Sequence, residues 1–243
     1  MKLNYLSDYE TTDPEFYEFF SNFAGEEVVN EPGKSLDERT RYMAILSALL
    51  GCQGRELFKK ILPEALNAGV TPVEIKEIVY QATAYLGIGR TYPFLDITNE
   101  VLKDGGITLP LEGQKTTTPD DHVQKGEDKQ VELFGEQFRG ASQSGPEESR
   151  HISRWLAGNC FGDYYTRKGL DNRQREMITF CFIAAQGGCE PKLVGHTAGN
   201  IKAGNDKSFL ISVISQCMPY IGYPRTLNAI RIINEVCDKK TGN

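Results

Sequence analysis

"QATAYLGIGRTYPFLDITNEV", residues 81–101, returns without a gap as "QCMPYIGYPRTLNAIRIINEV", residues 216–236. Nine of the 21 paired positions are identical, with Gly87-x-x-Arg90-Thr91 in register with Gly222-x-x-Arg225-Thr226. Self-similarity at a fixed spacing marks a duplicated structural unit. The match continues upstream. Arg41-Tyr42-Met43 parallels Arg175-Glu176-Met177, Gly51-Cys52 parallels Gly188-Cys189, and Asn67-Ala68-Gly69 echoes Lys202-Ala203-Gly204. The repeated cores span about residues 36–102 and 170–237. The organisation expected is a first unit over 1–102, a linker over 103–121 and a second unit over 122–243. The linker reading rests on "KDGGITLPLEGQKTTTPDD", dense in Gly, Thr, Pro and Asp.

Both units read as helical throughout. In 72–86, Val73, Ile75, Ile78, Val79, Ala82 and Leu86 recur at helical spacing, behind Thr71-Pro72 as cap and first turn. Ser35-x-x-Glu38 has the capping-box pattern ahead of the apolar run Tyr42–Leu50, and Asp171 with Gln174 has the same form in the second unit. Further helices are expected over 53–68 and 91–103, and over 171–186, 190–203, 206–219 and 224–238. Extra helices precede each unit, at 14–23 and at 119–139 and 146–158. Stretches of β-type alternation are absent, so the fold class is all-α.

Composition narrows the functional classes. The net charge is -6, and no Lys/Arg run exceeds two residues, which argues against a nucleic-acid partner. No stretch reaches the roughly 18 apolar residues of a membrane helix, and the N-terminal residues lack the apolar core of a signal peptide. The six cysteines form no C-x-x-C pair and no disulfide-framework spacing, which fits a reducing compartment. A cytoplasmic protein is the expectation.

The chemistry concentrates in "GGCEPKLVGH", residues 187–196. Pro191 suits a helix start, which puts Cys189 beside the helix N-terminus, where unpaired N–H groups and the dipole favour a thiolate. His196 lies two turns further along, on the same side. Glu176 opens the preceding helix, apolar from Met177 to Ala185, where a carboxylate requires a partner. The short turn at 186–188 folds the two helices back on each other, so Glu176 can meet His196 across the pair. Each residue also has a structural reading: a buried thiol, a core histidine, or a glutamate paired with Arg173 or Arg175. His122 and His151 lie in other segments, at spacings unsuited to a metal. Arg90 and Arg225 suit a substrate carboxylate, although their presence in both copies favours a structural role.

With repeat, helices and these residues together, the sequence resembles the carboxymuconolactone decarboxylase family, which shares an all-α fold with alkylhydroperoxidase D-like proteins. "FGDYYTRKGLDNRQREMITF" (161–180) and "HTAGNIKAGNDKSFLISVISQCMPYIGYPRTLNAI" (196–230) carry the resemblance, and "LNAGVTPVEIKEIVYQATAYLG" (66–87) is a looser copy. The resemblance implies two alternatives. In the decarboxylase branch a histidine, here His196, works without a cofactor on a small carboxylated lactone, with Glu176 orienting it and Arg225 a candidate carboxylate partner. In the hydroperoxidase branch Glu176, Cys189 and His196 form a relay, but the second cysteine falls on Lys192, so only a one-cysteine peroxidase remains. A non-catalytic scaffold is a third reading. In the first unit Tyr42 replaces the glutamate, Lys59 or Lys60 falls near the histidine's place, and only Cys52 remains. The resemblance therefore points to a degenerate first site, a working second one, a small-molecule substrate and a homo-oligomer.

Overall fold

The structure, a computed structural model, describes residues 3–238. Among them no strand occurs. The helices used below are α1 (Pro14–Asn22), α2 (Glu38–Cys52), α3 (Arg55–Asn67), α4 (Pro72–Leu86), α5 (Ile88–Asp104), α6 (His122–Phe134), α7 (Asn172–Gln186), α8 (Glu190–Ala203), α9 (Lys207–Ile221) and α10 (Tyr223–Asp238). Helices α2–α5 and α7–α10 are the two copies of the repeat. A π-wound segment, Leu156–Tyr165, precedes the second copy.

Local chemistry sets the helix starts. Thr71 and Glu74 close a capping box on α4, and Asp171 and Gln174 close one on α7. The capping box expected at Ser35 does not form. Asp37 is the N-cap of α2 and accepts from the Thr40 N–H at 2.9 Å, because the helix begins at Glu38 and only a residue directly before it can reach that N–H.

The central pair is α2 and α7, both buried around nearly their whole circumference. They cross so closely at Gly51 that a Cβ there would lie 2.6 Å from the Phe182 carbonyl oxygen. A side chain at position 51 would force the helices apart. Each central helix also packs on the third helix of the other unit, α7 on α4 and α2 on α9. Two buried arginines fasten these crossings reciprocally. Arg175 donates to the Gln81 amide oxygen at 2.7 Å, and Arg41 donates to that of Gln216 at 2.9 Å. Arg41, Gln81, Arg175 and Gln216 are each no more than 3 % exposed. One hydrophobic core therefore runs through both copies.

Segment 105–121 carries no helix but is held against the second unit. Lys168 N–H donates to Gln114 O at 3.1 Å, and the Thr116 hydroxyl bonds Thr166. No helix is long and apolar enough to cross a membrane among the described residues.

Candidate active site

Glu176 sits in the second turn of α7 and is fully buried. The π-wound segment ends on Tyr165, whose hydroxyl donates to Glu176 Oε1 at 2.9 Å. His196, two turns into α8, brings Nδ1 to 3.0 Å from the other oxygen, Oε2. The return of α8 along α7 is locked by Asn200, whose amide donates to the backbone oxygens of both Glu176 and His196 at 2.8 Å. Space for the carboxylate depends on Gly199, because a Cβ there would lie 2.5 Å from Glu176 Oε2 and 2.7 Å from the Phe134 ring.

A carboxylate can only accept, so the proton between the two groups lies on His196 Nδ1 and the second ring nitrogen, Nε2, is left for the cavity. Tyr85 and Phe134 meet the imidazole edge to face, with centroids 5.3 and 5.6 Å away. The network continues inward. Tyr165 accepts from the Tyr85 hydroxyl at 3.0 Å and lies 2.8 Å from the Thr179 hydroxyl, which accepts from the Gln81 amide. Burial pushes the Tyr85 and Tyr165 hydroxyls well above their ordinary values and lifts the Cys160 thiol beside Tyr85 to about 12. Tyr165 therefore stays a neutral donor to Glu176.

His196 faces a cavity of about 410 Å³. Phe134, Phe138, Leu156 and Phe161 supply its apolar wall, and Gln130, Gln186, Cys189 and Lys192 its polar points. Gln130 is only 3 % exposed and its amide oxygen has no partner. An apolar cavity with few convergent polar groups is the ordinary form of a small-molecule site.

Sequence reasoning brings Glu176 and His196 together correctly, and puts Cys189 on the same wall. Cys189 is the N-cap of α8, but its sulfur accepts from the Gln186 amide at 3.0 Å rather than from His196, and Gln186 is held in turn by Arg90 at 2.9 Å. Arg225 is not in this cavity. Its guanidinium donates to Ala185 O at the end of α7, where the helix presents free carbonyls, and it lines a neighbouring recess.

The first-unit assignments also change. Cys52 is the last residue of α2, the place of Gln186 in α7, and the N-cap corresponding to Cys189 is Gly54. Lys59 pairs with Glu100 and Lys60 with Asp8, while Ile61 stands at the helical position of His196. Tyr42 does replace Glu176, and its hydroxyl donates to Glu64 at 3.0 Å. Three participants went unseen in the sequence: Tyr165, Gln130 and the first unit's Tyr85. The one signal for Tyr85 in the sequence is its recurrence as Tyr220. His122 pairs with Asp163 at 3.2 Å, outside the cavity, and no cluster fit for a metal ion occurs among the described residues.

The sequence profile of the carboxymuconolactone decarboxylase family matches residues 14–100 and 151–235, once for each unit. The chain belongs to that family. It is 31% identical over 105 residues to 4-carboxymuconolactone decarboxylase of Acinetobacter baylyi, a match covering 43% of this chain and 75% of the relative. In fold it is similar to a crystal structure from Burkholderia xenovorans LB400 named for a gamma-carboxymuconolactone decarboxylase subunit. The TM-score is 0.55 at 18% identity, over 99% of this chain and 93% of that one.

Proposed function

We propose that the chain is a decarboxylase of small carboxylated lactones that works through His196 without a cofactor. The observation that carries this reading is the Glu176–His196 pair, 3.0 Å apart, with the carboxylate fully buried and the imidazole 12 % exposed at the cavity wall. The family and the name of its Acinetobacter relative support this choice of substrate class.

Decarboxylation breaks the bond between the carboxylate carbon and the ring. Carbon dioxide leaves, its bonding pair enters the conjugated lactone, and a proton must reach the carbon that receives the charge. As an imidazolium His196 carries a proton on each nitrogen, so Nε2 gives its proton to that carbon while Nδ1–H stays on Glu176, which fixes the ring's orientation as Tyr165 fixes Glu176. The aromatic wall supports loss of the charged group by withholding water from it. Lys192, exposed at the cavity rim, and not Arg225, is the partner of a remaining carboxylate, and the free amide oxygen of Gln130 accepts from a substrate hydroxyl or protonated carboxyl. The one-cysteine peroxidase reading has less support, since the Cys189 sulfur has Gln186 as its hydrogen-bond partner and not His196, whose Nδ1 faces Glu176.

The test is carbon dioxide release from 4-carboxymuconolactone. His196→Ala is expected to lower kcat by about 10²–10⁴-fold, the usual weight of a positioned acid or base, with the helical content kept and the thermal midpoint lowered, since the buried Glu176 loses a partner. Turnover undiminished in His196→Ala removes the assignment. Absence of lactone turnover together with peroxide-dependent sulfenic acid at Cys189 favours the thiol chemistry instead.

A further inference from the structure

A second recess, of about 470 Å³, opens between α4, α5 and the connecting segment, and shares no lining residue with the His196 cavity. Lys76, Lys103 and Arg167 face it. Two carboxylates also belong to its wall. Glu77 is 1 % exposed and already engaged, with Arg167 at 2.8 and 3.0 Å and Arg175 at 3.0 Å. Glu112 is exposed at the rim.

Lys76 is the unusual member. It is 7 % exposed, its ammonium donates to the neutral Asn99 amide oxygen, and it lies 5.8 Å from the Tyr80 ring centroid. Among the described residues no carboxylate comes within ion-pair distance of it. Burial, and then the neighbouring Lys103, hold its pKa below the ordinary lysine value. A cation withdrawn from water without a counter-charge is unfavourable for the empty protein. The other repeat shows that the helix does not need it. At the 135-residue spacing, α9 and α10 carry Ile211, Ser212, Ser215 and Asp238 where the first unit carries Lys76, Glu77, Tyr80 and Lys103. The same supersecondary unit forms without a lysine there, so the cation cluster is an addition to the scaffold.

The wall also has an apolar part, Val73 and Leu95 from the helices with Leu109, Pro110 and Leu111 from the connecting segment, and the polar Gln114 beside it. We propose that this recess is a second ligand site, binding a small organic carboxylate with Lys76 as anchoring cation and the 109–111 stretch over its apolar body. Lys103 and Arg167 flank the carboxylate, and the pairing of Glu77 with Arg167 and Arg175 keeps that side from repelling it.

Calorimetric titration of the full chain with hexanoate at low salt tests this, with inorganic phosphate as the purely anionic comparison. Saturable hexanoate binding is expected in the parent and equally in His196→Ala, with phosphate weaker. Lys76→Met is expected to weaken binding at least about tenfold, the equivalent of about 1.4 kcal/mol, while its unliganded thermal midpoint matches or exceeds the parent's. Lys103→Ala, at an exposed position, gives a smaller loss and serves if Lys76→Met does not fold. Unchanged affinity in Lys76→Met, or in Lys103→Ala if that variant must serve, overturns the proposal. So does no saturable binding, or binding abolished in His196→Ala. Phosphate binding as tightly as hexanoate overturns the assigned ligand class.

Discussion

The two units meet the same packing problem with opposite distributions of charge. In the second, the central helix offers a carboxylate, Glu176, and the facing helix offers a gap, Gly199. In the first, the central helix offers a phenol, Tyr42, and the facing helix supplies the carboxylate, Glu64, at the position equivalent to Gly199. The accompanying tyrosines correspond as well. Tyr85 of the first unit bonds Tyr165 beside Glu176, and Tyr220 of the second bonds Tyr5 beside Tyr42. What differs is the exit. His196 connects the second cluster to an aromatic-walled cavity, whereas in the first Ile61, fully buried, stands at that position, and Tyr5 and Glu64 line a polar recess at the surface. What separates the two clusters is an imidazole, able to take up and release a proton, at the wall of an apolar space.

The contrast breaks most sharply at position 199. Gly199→Ala is expected to displace Glu176 or Phe134 and lower turnover about 10²-fold, at a cost in stability of about 1–3 kcal/mol. Glu64→Ala, at the equivalent position, is expected to leave turnover within about twofold and to cost about 1 kcal/mol for the lost hydrogen bond. Steady-state assays and urea titrations of both variants decide the matter. Equal losses of turnover would mean that the first cluster is not inert.

A smaller effect separates the two tyrosines. Tyr165→Phe removes one of the hydrogen bonds that fix Glu176 and is expected to reduce kcat about tenfold with little change in KM. Tyr5→Phe is expected to leave both parameters unaltered. A larger KM effect than kcat effect for Tyr165→Phe would reassign it to substrate binding.

An effect on stability alone is expected at alkaline pH. In the folded protein burial lifts the Cys160 thiol from 9.0 to about 12. The unfolded chain therefore loses this proton first, and its contribution, complete below pH 9, disappears as the pH rises towards 12. The slope is about 1.4 kcal/mol per pH unit for one group. Tyr85 and Tyr165, raised in the same sense, add to the decline at still higher pH. Cys160→Ala should flatten the curve of unfolding free energy above pH 9. An identical slope in both proteins would show that the thiol titrates normally in the folded state.

The duplication and the helices are legible in the sequence because Gly, Arg and Thr recur at one spacing and the apolar residues follow the helical period. Glu176 with His196 is legible because a charged residue on an otherwise apolar helix must find a partner, and a short turn limits where one can be. Tyr85 is not, since it reaches the site only through the crossing of α4 over α7, a contact between units about 90 residues apart along the chain. The equation of Cys52 with Cys189 fails for a different reason. Residue type matches, but the turns differ in length, so one cysteine closes a helix and the other opens the next. Arg225 suits a substrate carboxylate by charge alone, whereas the end of α7 offers it a backbone carbonyl close by.

The reciprocal arginine–glutamine crossings have a consequence for how such a chain can change. In an assembly of two identical polypeptides, every substitution is written into both halves at once, so exchanging a carboxylate for a phenol would remove it from both clusters. Here the halves are encoded separately while Arg41–Gln216 and Arg175–Gln81 keep them fastened. Residue 42 is free to vary without altering residue 176. The covalent join turns a symmetry constraint into independent inheritance for each half, one carrying Glu176 with His196 and the other Tyr42 with Glu64.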